Sequence, residues 1–334
     1  MKELNILFLS EHCCIRVIKE GLALLKAGVN IHFCQKRFQN VEFRKIMPQA
    51  SFWEMQEDLY EKIRGMEGFD LIHVHNEPSW IATVAKQARP DIPVILDCHD
   101  LNSARFGKHN EIEDAAIKTC DGFITPSYGY KQHIKKFYKC CKPVEVIYSM
   151  CNEDFYFDRQ PNRVPSVPGV VYEGGITADD RHPHPYRDYR QLTNVLLELG
   201  IPFHIYGAND TWNATYQHLG AYMYPTLPYN EMLRSLSRYD WGFVGPGVPH
   251  RAFDWCMPNK LFEYLAAGIP VIVWKSDEAA EWVKERGVGV VIDDLNEIGV
   301  LADFHAGYKE KVRAMRFTME NQIDKLINFY NQLL

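Results

Sequence analysis

Apolar and polar positions along the chain fall into two alternating kinds of segment. Short apolar runs typical of buried strands are separated by segments whose apolar residues lie three and four apart, as in helices. In the first half the predicted strands are 6–9, 30–34, 71–75, 94–96, 122–125 and 144–147. In the second half they are 170–173, 203–206, 241–244, 271–273 and 288–292. This alternation predicts a mainly parallel sheet covered by helices on both faces, built twice along the chain.

A polar, proline-bearing stretch at 158–168 interrupts the pattern and is the best candidate for a linker. At about 150 residues per domain, 334 residues predict two domains. Apolar spacing also predicts a helical tail at 309–334. We therefore predict domains at 1–157 and 158–310, followed by a C-terminal helix at 311–334.

Composition narrows the class of protein. The net charge of -6 and the isoelectric point near 6.1 provide no general attraction for nucleic acid. The nine cysteines are an odd number and include no C-x-x-C pair, which favours reduced thiols. The apolar run near the N-terminus is too short for a signal peptide or a membrane span. We expect a cytoplasmic globular enzyme that binds any anionic ligand through local groups.

The most informative segment is 257–273, with the sequence MPNKLFEYLAAGIPVIV. Pro258 and Gly268 suit the beginning and the end of a short helix, and a buried strand follows. Within the helix, Asn259, Lys260 and Glu263 share one side, while the other side is apolar. Free N–H groups and a lysine at a helix start attract phosphate, and a carboxylate one turn later accepts hydrogen bonds from ribose hydroxyls. The pattern predicts a nucleotide diphosphate site.

This segment resembles the donor-site motif of retaining glycosyltransferases with the GT-B fold, in particular the family-four group. The resemblance implies an α/β protein of two doubly wound Rossmann-like domains facing a central cleft. It also implies that Glu263 binds the ribose of a nucleotide-sugar donor and that the preceding turn holds the diphosphate. Many family members carry a second glutamate where this chain has Trp255, and the adjacent Asp254 is the candidate substitute. No metal and no other cofactor is implied.

Other landmarks of that family occur in the expected order in the second half. Glu173 and Gly174 occupy the place of its strand-end glycine segment, and Arg187 aligns with its phosphate-binding lysine. The family usually adds an arginine directly after the glycine, and Arg181 either fills that role or is solvated. The residues that border the nucleotide base are implied to be Gly207 and Tyr229.

Candidates in the first half follow the ends of predicted strands. After the first strand, the family's glycine pair is absent, and His12 and Arg16 are candidates for phosphate or acceptor contacts, although Arg16 could equally face solvent. Two histidines and Asn76 end the third strand. Asn76 is a further candidate for phosphate or acceptor contacts, and for the histidines we favour buried core residues over metal ligands. The resemblance implies that His99 contacts the donor sugar, and a loop cap is the alternative. No G-x-G-x-x-G follows the first strand, which counts against a dehydrogenase.

One basic stretch, 128–142, carries five lysines from Lys131 to Lys142 and no acid. It is either a solvated helix face or a weak contact with the inner membrane surface or a lipid-linked acceptor. The function implied overall is transfer of a sugar from a nucleotide diphosphate sugar to a glycan, lipid-linked or small-molecule acceptor, with retention of configuration. A sugar-nucleotide epimerase of the same architecture and a catalytically silent nucleotide-sugar binding protein are the alternatives.

Overall fold

The structure is a computed structural model, and it describes residues 3–36, 50–76, 78–156, 167–301 and 305–334. The chain forms two compact units. The first unit comprises Met1–Asn152 and Met319–Leu334, and the second comprises Glu153–Thr318. These limits differ by a few residues from the predicted ones. The linker predicted at 158–168 lies almost wholly outside the described residues.

The first unit is built on a parallel sheet, which in the described residues has seven strands in the order β3-β2-β1-β4-β5-β6-β7. The strands are β1 (Asn5–Ser10), β2 (Asn30–Lys36), β3 (Ala50–Trp53), β4 (Leu71–His75), β5 (Val94–Asp97), β6 (Gly122–Thr125) and β7 (Val144–Val146). The helices are α1 (Ile15–Lys26), α2 (Gln56–Arg64), α3 (Trp80–Ala88), α4 (Asn102–Phe106), α5 (Glu111–Thr119), α6 (Tyr128–Phe137) and, at the C-terminus, α14 (Ile323–Leu333).

The C-terminal helix α14 completes the core of the first unit. Its Leu326 and Tyr330 are fully buried and lie in one apolar cluster with Ile6 and Phe8 of β1. The Tyr330 hydroxyl lies 2.7 Å from Nδ1 of His73 on β4. Because α14 covers the middle of the sheet, this unit depends on a segment that is distant in sequence from the rest of it.

The second unit repeats the architecture with a parallel sheet of six described strands, in the order β10-β9-β8-β11-β12-β13. The strands are β8 (Val170–Gly174), β9 (Phe203–Gly207), β10 (Tyr222–Tyr224), β11 (Trp241–Val244), β12 (Val271–Trp274) and β13 (Gly289–Ile292). The helices are α7 (Arg190–Glu198), α8 (Asn213–His218), α9 (Tyr229–Leu236), α10 (Asn259–Ala267), α11 (Asp277–Arg286), α12 (Ile298–Leu301) and α13 (His305–Ala314). The predicted α/β class with two doubly wound parallel sheets is confirmed.

The predicted elements need two corrections. The edge strands β3 and β10 were missing from the prediction, because most of their residues are partly exposed and form no continuous apolar run. The tail is not one continuous helix, since α13 and α14 are separated by an extended segment. In that segment the backbone N–H of Phe317 donates to the Tyr156 hydroxyl, which replaces a helical hydrogen bond.

Within the described residues, no helix has the length and apolar character needed to cross a lipid bilayer. All nine cysteines are described, and none forms a disulfide.

Candidate functional site

In both sheets the strand order reverses beside the first strand, between β1 and β4 and between β8 and β11. Ligands of open parallel sheets bind at the carboxyl ends of the strands near such a reversal. In the second unit, β8 ends at Gly174, which is the register partner of Gly207 at the end of β9. The backbone N–H of Ala208 donates to the Gly174 carbonyl at 3.1 Å. The two predicted glycines are therefore neighbours at the expected edge.

Two cations converge on the turn that follows β8. A Cβ atom added to Gly174 would lie 3.7 Å from Nζ of Lys260, and one added to Gly175 would lie 2.9 Å from Nη1 of Arg187. Gly174 also has a φ of +128°, which L side chains rarely adopt. Successive glycines thus let a lysine from α10 and an arginine from the connection between β8 and α7 approach the same stretch of backbone.

The turn is lined by two cations. Arg187 is partly buried, its guanidinium lies 5.9 Å from the Tyr186 ring, and no described carboxylate forms an ion pair with it. Nζ of Lys260 lies 5.0 Å from the Tyr172 ring. Burial alone would lower the pKa of Lys260, but Tyr172 and nearby carboxylates outweigh it, so the pKa is raised and the lysine stays charged. The site suits a polyanionic ligand such as a diphosphate.

Helix α10 begins beside this turn. Pro258 is the capping residue rather than the first helical residue, and Gly268 ends the helix with a φ of +82°. Glu263 is 3% exposed and accepts a hydrogen bond from the Tyr229 hydroxyl at 3.1 Å. It therefore lies on the buried side of the helix, whereas Asn259 is exposed. The sequence pattern places both on one polar side, opposite the face that packs.

A tyrosine of α10 fixes the helix against β8. The backbone N–H of Glu173 donates to the Tyr264 hydroxyl at 3.0 Å, and Tyr264 is fully buried. The predicted helper residues lie further out: Arg181 has 95% of its side chain exposed, and Asp254 is exposed. Burial, followed by repulsion from Asp277, raises the pKa of Asp254.

The first unit contains a buried network of charged groups at its own strand reversal. Arg16 of α1 donates through Nε to Oδ2 of Asp97 at 2.8 Å, through Nη1 to the Ile147 carbonyl at 2.9 Å, and its Nη2 lies 2.8 Å from Oε1 of Glu20. Arg16 is only 2% exposed. The predicted alternatives of a phosphate ligand or a solvent-facing arginine are both replaced by an internal ion pair with Asp97.

Three histidines and a cysteine extend this network. The rings of His73 and His75 stack with centroids 4.2 Å apart, which confirms that they share one face of β4. Nε2 of His99 lies 3.3 Å from Oδ2 of Asp97 and 3.1 Å from Nδ1 of His75. Nδ1 of His99 lies 3.5 Å from Sγ of Cys14. Both ring nitrogens of His99 therefore face protein groups.

Burial and mutual attraction set the charges in the network. Burial would raise the pKa of Asp97, but Arg16 and His99 outweigh it and hold the pKa well below its usual range. Burial raises the pKa of Glu20 well above its usual value, against the attraction of Arg16. Burial also lowers the pKa of His75, so that ring is neutral.

Four of these groups, Glu20, His73, His75 and Asp97, offer ligand-type atoms within 4.8 Å of one another. That spacing alone would permit a metal ion. However, Arg16 forms ion pairs with both carboxylates, which offsets their negative charge. We therefore interpret the group as an internally compensated network, and the absence of a metal requirement stays a prediction.

Asn76 holds the loop that carries His99. Its side chain accepts from the His99 backbone N–H at 2.6 Å and donates to the Asp100 carbonyl at 2.6 Å. Asn76 is thus buried and holds this loop in place. His12, which follows β1, is exposed instead.

In the basic stretch 128–142, the ammonium groups of Lys135 and Lys142 donate hydrogen bonds to backbone carbonyls. Fewer of its lysines are therefore free to contact a ligand than the sequence suggests.

Models of known protein families match a large part of each unit. Residues 28–155 match the family model described as Glycosyltransferase Family 4, and residues 188–323 match the Glucosyltransferase 3-like C-terminal domain. The structure of Anabaena HepE in complex with UDP and glucose aligns with a TM-score of 0.74 at 13% identity, covering 99% of this chain and all of that one. Both units therefore match glycosyltransferase domain models, and the chain has the fold of GT-B glycosyltransferases.

Relatives of this GT-B glycosyltransferase include Glucosyltransferase 3 of Streptococcus gordonii, which is 23% identical over 291 residues, or 80% of this chain and 81% of the relative. A UDP-N-acetylglucosamine 2-epimerase structure from Listeria monocytogenes, described as putative, also shares the fold, with a TM-score of 0.62 at 11% identity and coverage of 98% and 95%. Fold alone therefore does not separate transfer from epimerisation.

Sequence reasoning missed two parts of the glycosyltransferase site region. It did not assign Cys14 to the His99 cluster or recognise Asp97 as its central carboxylate. The sequence did contain one signal, an aspartate two residues before His99 at the end of a predicted strand.

Proposed function

We propose that this glycosyltransferase transfers a sugar, with a hexose as the first candidate, from a UDP-sugar to an acceptor and retains the anomeric configuration. The observation that carries the proposal is the Gly174–Gly175 turn, which Lys260 and Arg187 approach from two different elements beside the start of α10. Two mobile cations and free helix N–H groups are what a diphosphate needs.

Each group at the turn has a distinct role in the proposed reaction. Arg187 and Lys260 bind the diphosphate and stabilise the negative charge that grows on it as the glycosidic bond breaks. Glu263 accepts hydrogen bonds from the donor ribose, and Tyr229 holds its carboxylate in place. Backbone groups near Gly207 border the base.

The choice of UDP rests on similarity. HepE has been solved with UDP and with UDP-glucose, and the Streptococcus relative is called a glucosyltransferase. In the proposed mechanism no enzyme nucleophile and no metal takes part, and the departing phosphate helps to accept the proton of the acceptor hydroxyl. The protein then contributes orientation and electrostatic stabilisation.

The acceptor is proposed to use the first unit, where the loops after β1 and β5 carry the exposed His12 and the partly exposed His99. A glycan or a lipid-linked acceptor is proposed. The exposed Lys136 and Lys139 at the end of α6 would support contact with an anionic headgroup.

Product analysis with UDP-glucose tests the proposal. Free UDP together with a glycosylated acceptor supports transfer, whereas a changed sugar still linked to UDP indicates an epimerase. Binding without any conversion, across a broad acceptor panel, indicates a silent nucleotide-sugar binding protein. Arg187→Ala is expected to slow transfer more than it weakens binding, Glu263→Ala to weaken binding, and the exposed-site control Arg181→Ala to leave both unchanged.

A further inference from the structure

Cys14 lies in the loop between β1 and α1. It is the N-terminal capping residue of the twelve-residue helix α1, although its side chain makes no capping hydrogen bond. Its Sγ lies 3.5 Å from Nδ1 of His99. The residue as a whole is partly buried.

The imidazole beside Cys14 is itself held by a carboxylate. Nε2 of His99 lies 3.3 Å from Oδ2 of Asp97, which is fully buried and fixed by Arg16. Sulfur, imidazole and carboxylate thus follow one another in the order of an activated cysteine nucleophile. The arrangement satisfies both ring nitrogens of His99 when the ring is protonated and the sulfur is a thiolate.

The surrounding titratable groups support this charge state. Asp97 and the neutral His75 face the Cys14–His99 pair from the strand ends. Arg16 and Cys13 belong to the same chain segment as Cys14. Burial would lower the pKa of His99, but the anions at Cys14 and Asp97 outweigh it and raise the pKa to about 10. Burial likewise opposes ionisation of Cys14, yet His99 brings the pKa of its thiol below the ordinary value.

We propose that Cys14 is a covalent modification site, whose sulfur is in contact with the His99 imidazole and reacts selectively with soft electrophiles and peroxides. With iodoacetamide, the sulfur forms a C–S bond and iodide leaves. With hydrogen peroxide, the sulfur attacks the O–O bond, so that cysteine is oxidised to sulfenic acid and the peroxide is reduced to water. This reactivity does not depend on the proposed sugar donor.

The neighbouring cysteines supply internal controls. Cys13 is 8% exposed, and burial followed by repulsion from Cys14 raises the pKa of its thiol, so it stays protonated and shielded. Cys141 is exposed, and within the described part of the chain its sulfur contacts the Lys139 carbonyl and no imidazole. Cys13 therefore controls for local sequence, and Cys141 controls for accessibility.

The test is site-resolved labelling of the folded full-length chain with limiting iodoacetamide, read by fragmentation mass spectrometry. An ordinary thiol is only about 1% ionised near pH 6.5, so a thiol of lower pKa gains rate from its larger ionised fraction. A thiolate of low pKa is also a weaker nucleophile, which offsets part of that gain. We expect Cys14 to label about tenfold faster than Cys141 at that pH. In urea the two rates should converge. Equal rates in the folded chain, or labelling of Cys14 that rises with pH in parallel with Cys141, would overturn the proposal.

The His99→Gln variant tests the partner. We expect labelling of Cys14 to fall about tenfold near neutral pH while Cys141 is unchanged, and the sulfenic acid trapped by dimedone after peroxide to fall with it. If the variant does not fold, the wild-type comparison of Cys14 with Cys141 decides alone. A folded variant with undiminished labelling of Cys14 would show that His99 does not activate the sulfur.

Discussion

Replacing Gly175 by alanine should move one specific cation without disturbing the fold. The new Cβ would lie 2.9 Å from Nη1 of Arg187 and 3.3 Å from its Cδ and Cζ atoms, closer than carbon and nitrogen normally approach. The atoms in its way belong to a partly buried, flexible side chain. The guanidinium should therefore swing aside, and we expect the free energy of unfolding to change by less than about 1 kcal/mol.

The effect on ligand binding should be larger. A hydrogen bond to a charged group contributes about 1.5–3 kcal/mol, so Arg187→Ala should weaken UDP binding about 10- to 150-fold. A displaced guanidinium keeps part of its attraction for phosphate, and we expect Gly175→Ala to weaken binding about fivefold.

A double-mutant cycle measured by titration calorimetry with UDP separates displacement from other effects. If Gly175→Ala acts only through Arg187, adding it to Arg187→Ala should change affinity less than about twofold. Arg181→Ala is the matched control, since its side chain is 95% exposed. Additive losses, or unchanged binding in Gly175→Ala, would refute the placement of the phosphate at this turn.

Three further variants test other contacts. Gly242→Ala places a Cβ 2.3 Å from the buried Tyr264 ring and should lower the free energy of unfolding in urea by about 1–3 kcal/mol. Gly307 lies in a helix with open space around it, so the control Gly307→Ala should not destabilise the protein. Equal effects of the two changes would contradict the packing. Asp97→Asn should lower the free energy of unfolding by about 3–5 kcal/mol near pH 7. Because the folded pKa of Asp97 is depressed, this difference is present above its unfolded pKa of 3.8 and should shrink as pH falls below that value. A difference that stays constant with pH would contradict the ion pair. Tyr229→Phe removes the hydroxyl that donates to Glu263 and should weaken UDP binding about fivefold with an unchanged melting temperature; unaltered affinity would contradict that role.

The sequence predicts most of the fold because buried parallel strands produce continuous apolar runs. It fails for the edge strands β3 and β10, whose side chains are mostly half-exposed. The placement of Lys260 and Glu263, the proposed donor-site residues, on one helix is equally predictable, because that motif is local.

The network in the first unit shows what sequence reasoning lacks. Arg16 resembles a surface arginine at the start of a helix, yet two of its buried partners, Asp97 and the Ile147 carbonyl, are 81 and 131 residues away. Cys14 meets His99 across 85 residues for the same reason. Such contacts depend on which strand ends are neighbours in the sheet. The strand order cannot be inferred from the pattern of a single sequence.

The central claim is that the second unit holds the diphosphate of a nucleotide sugar. Thermal melting of the wild type and of Glu263→Ala, each with UDP, GDP and ADP at saturating concentration, tests it most directly, because a ligand that binds the native state raises the melting temperature. The account predicts a selective rise with UDP that is lost or strongly reduced in Glu263→Ala. No rise with any nucleotide, or an equal rise in the variant, would contradict it.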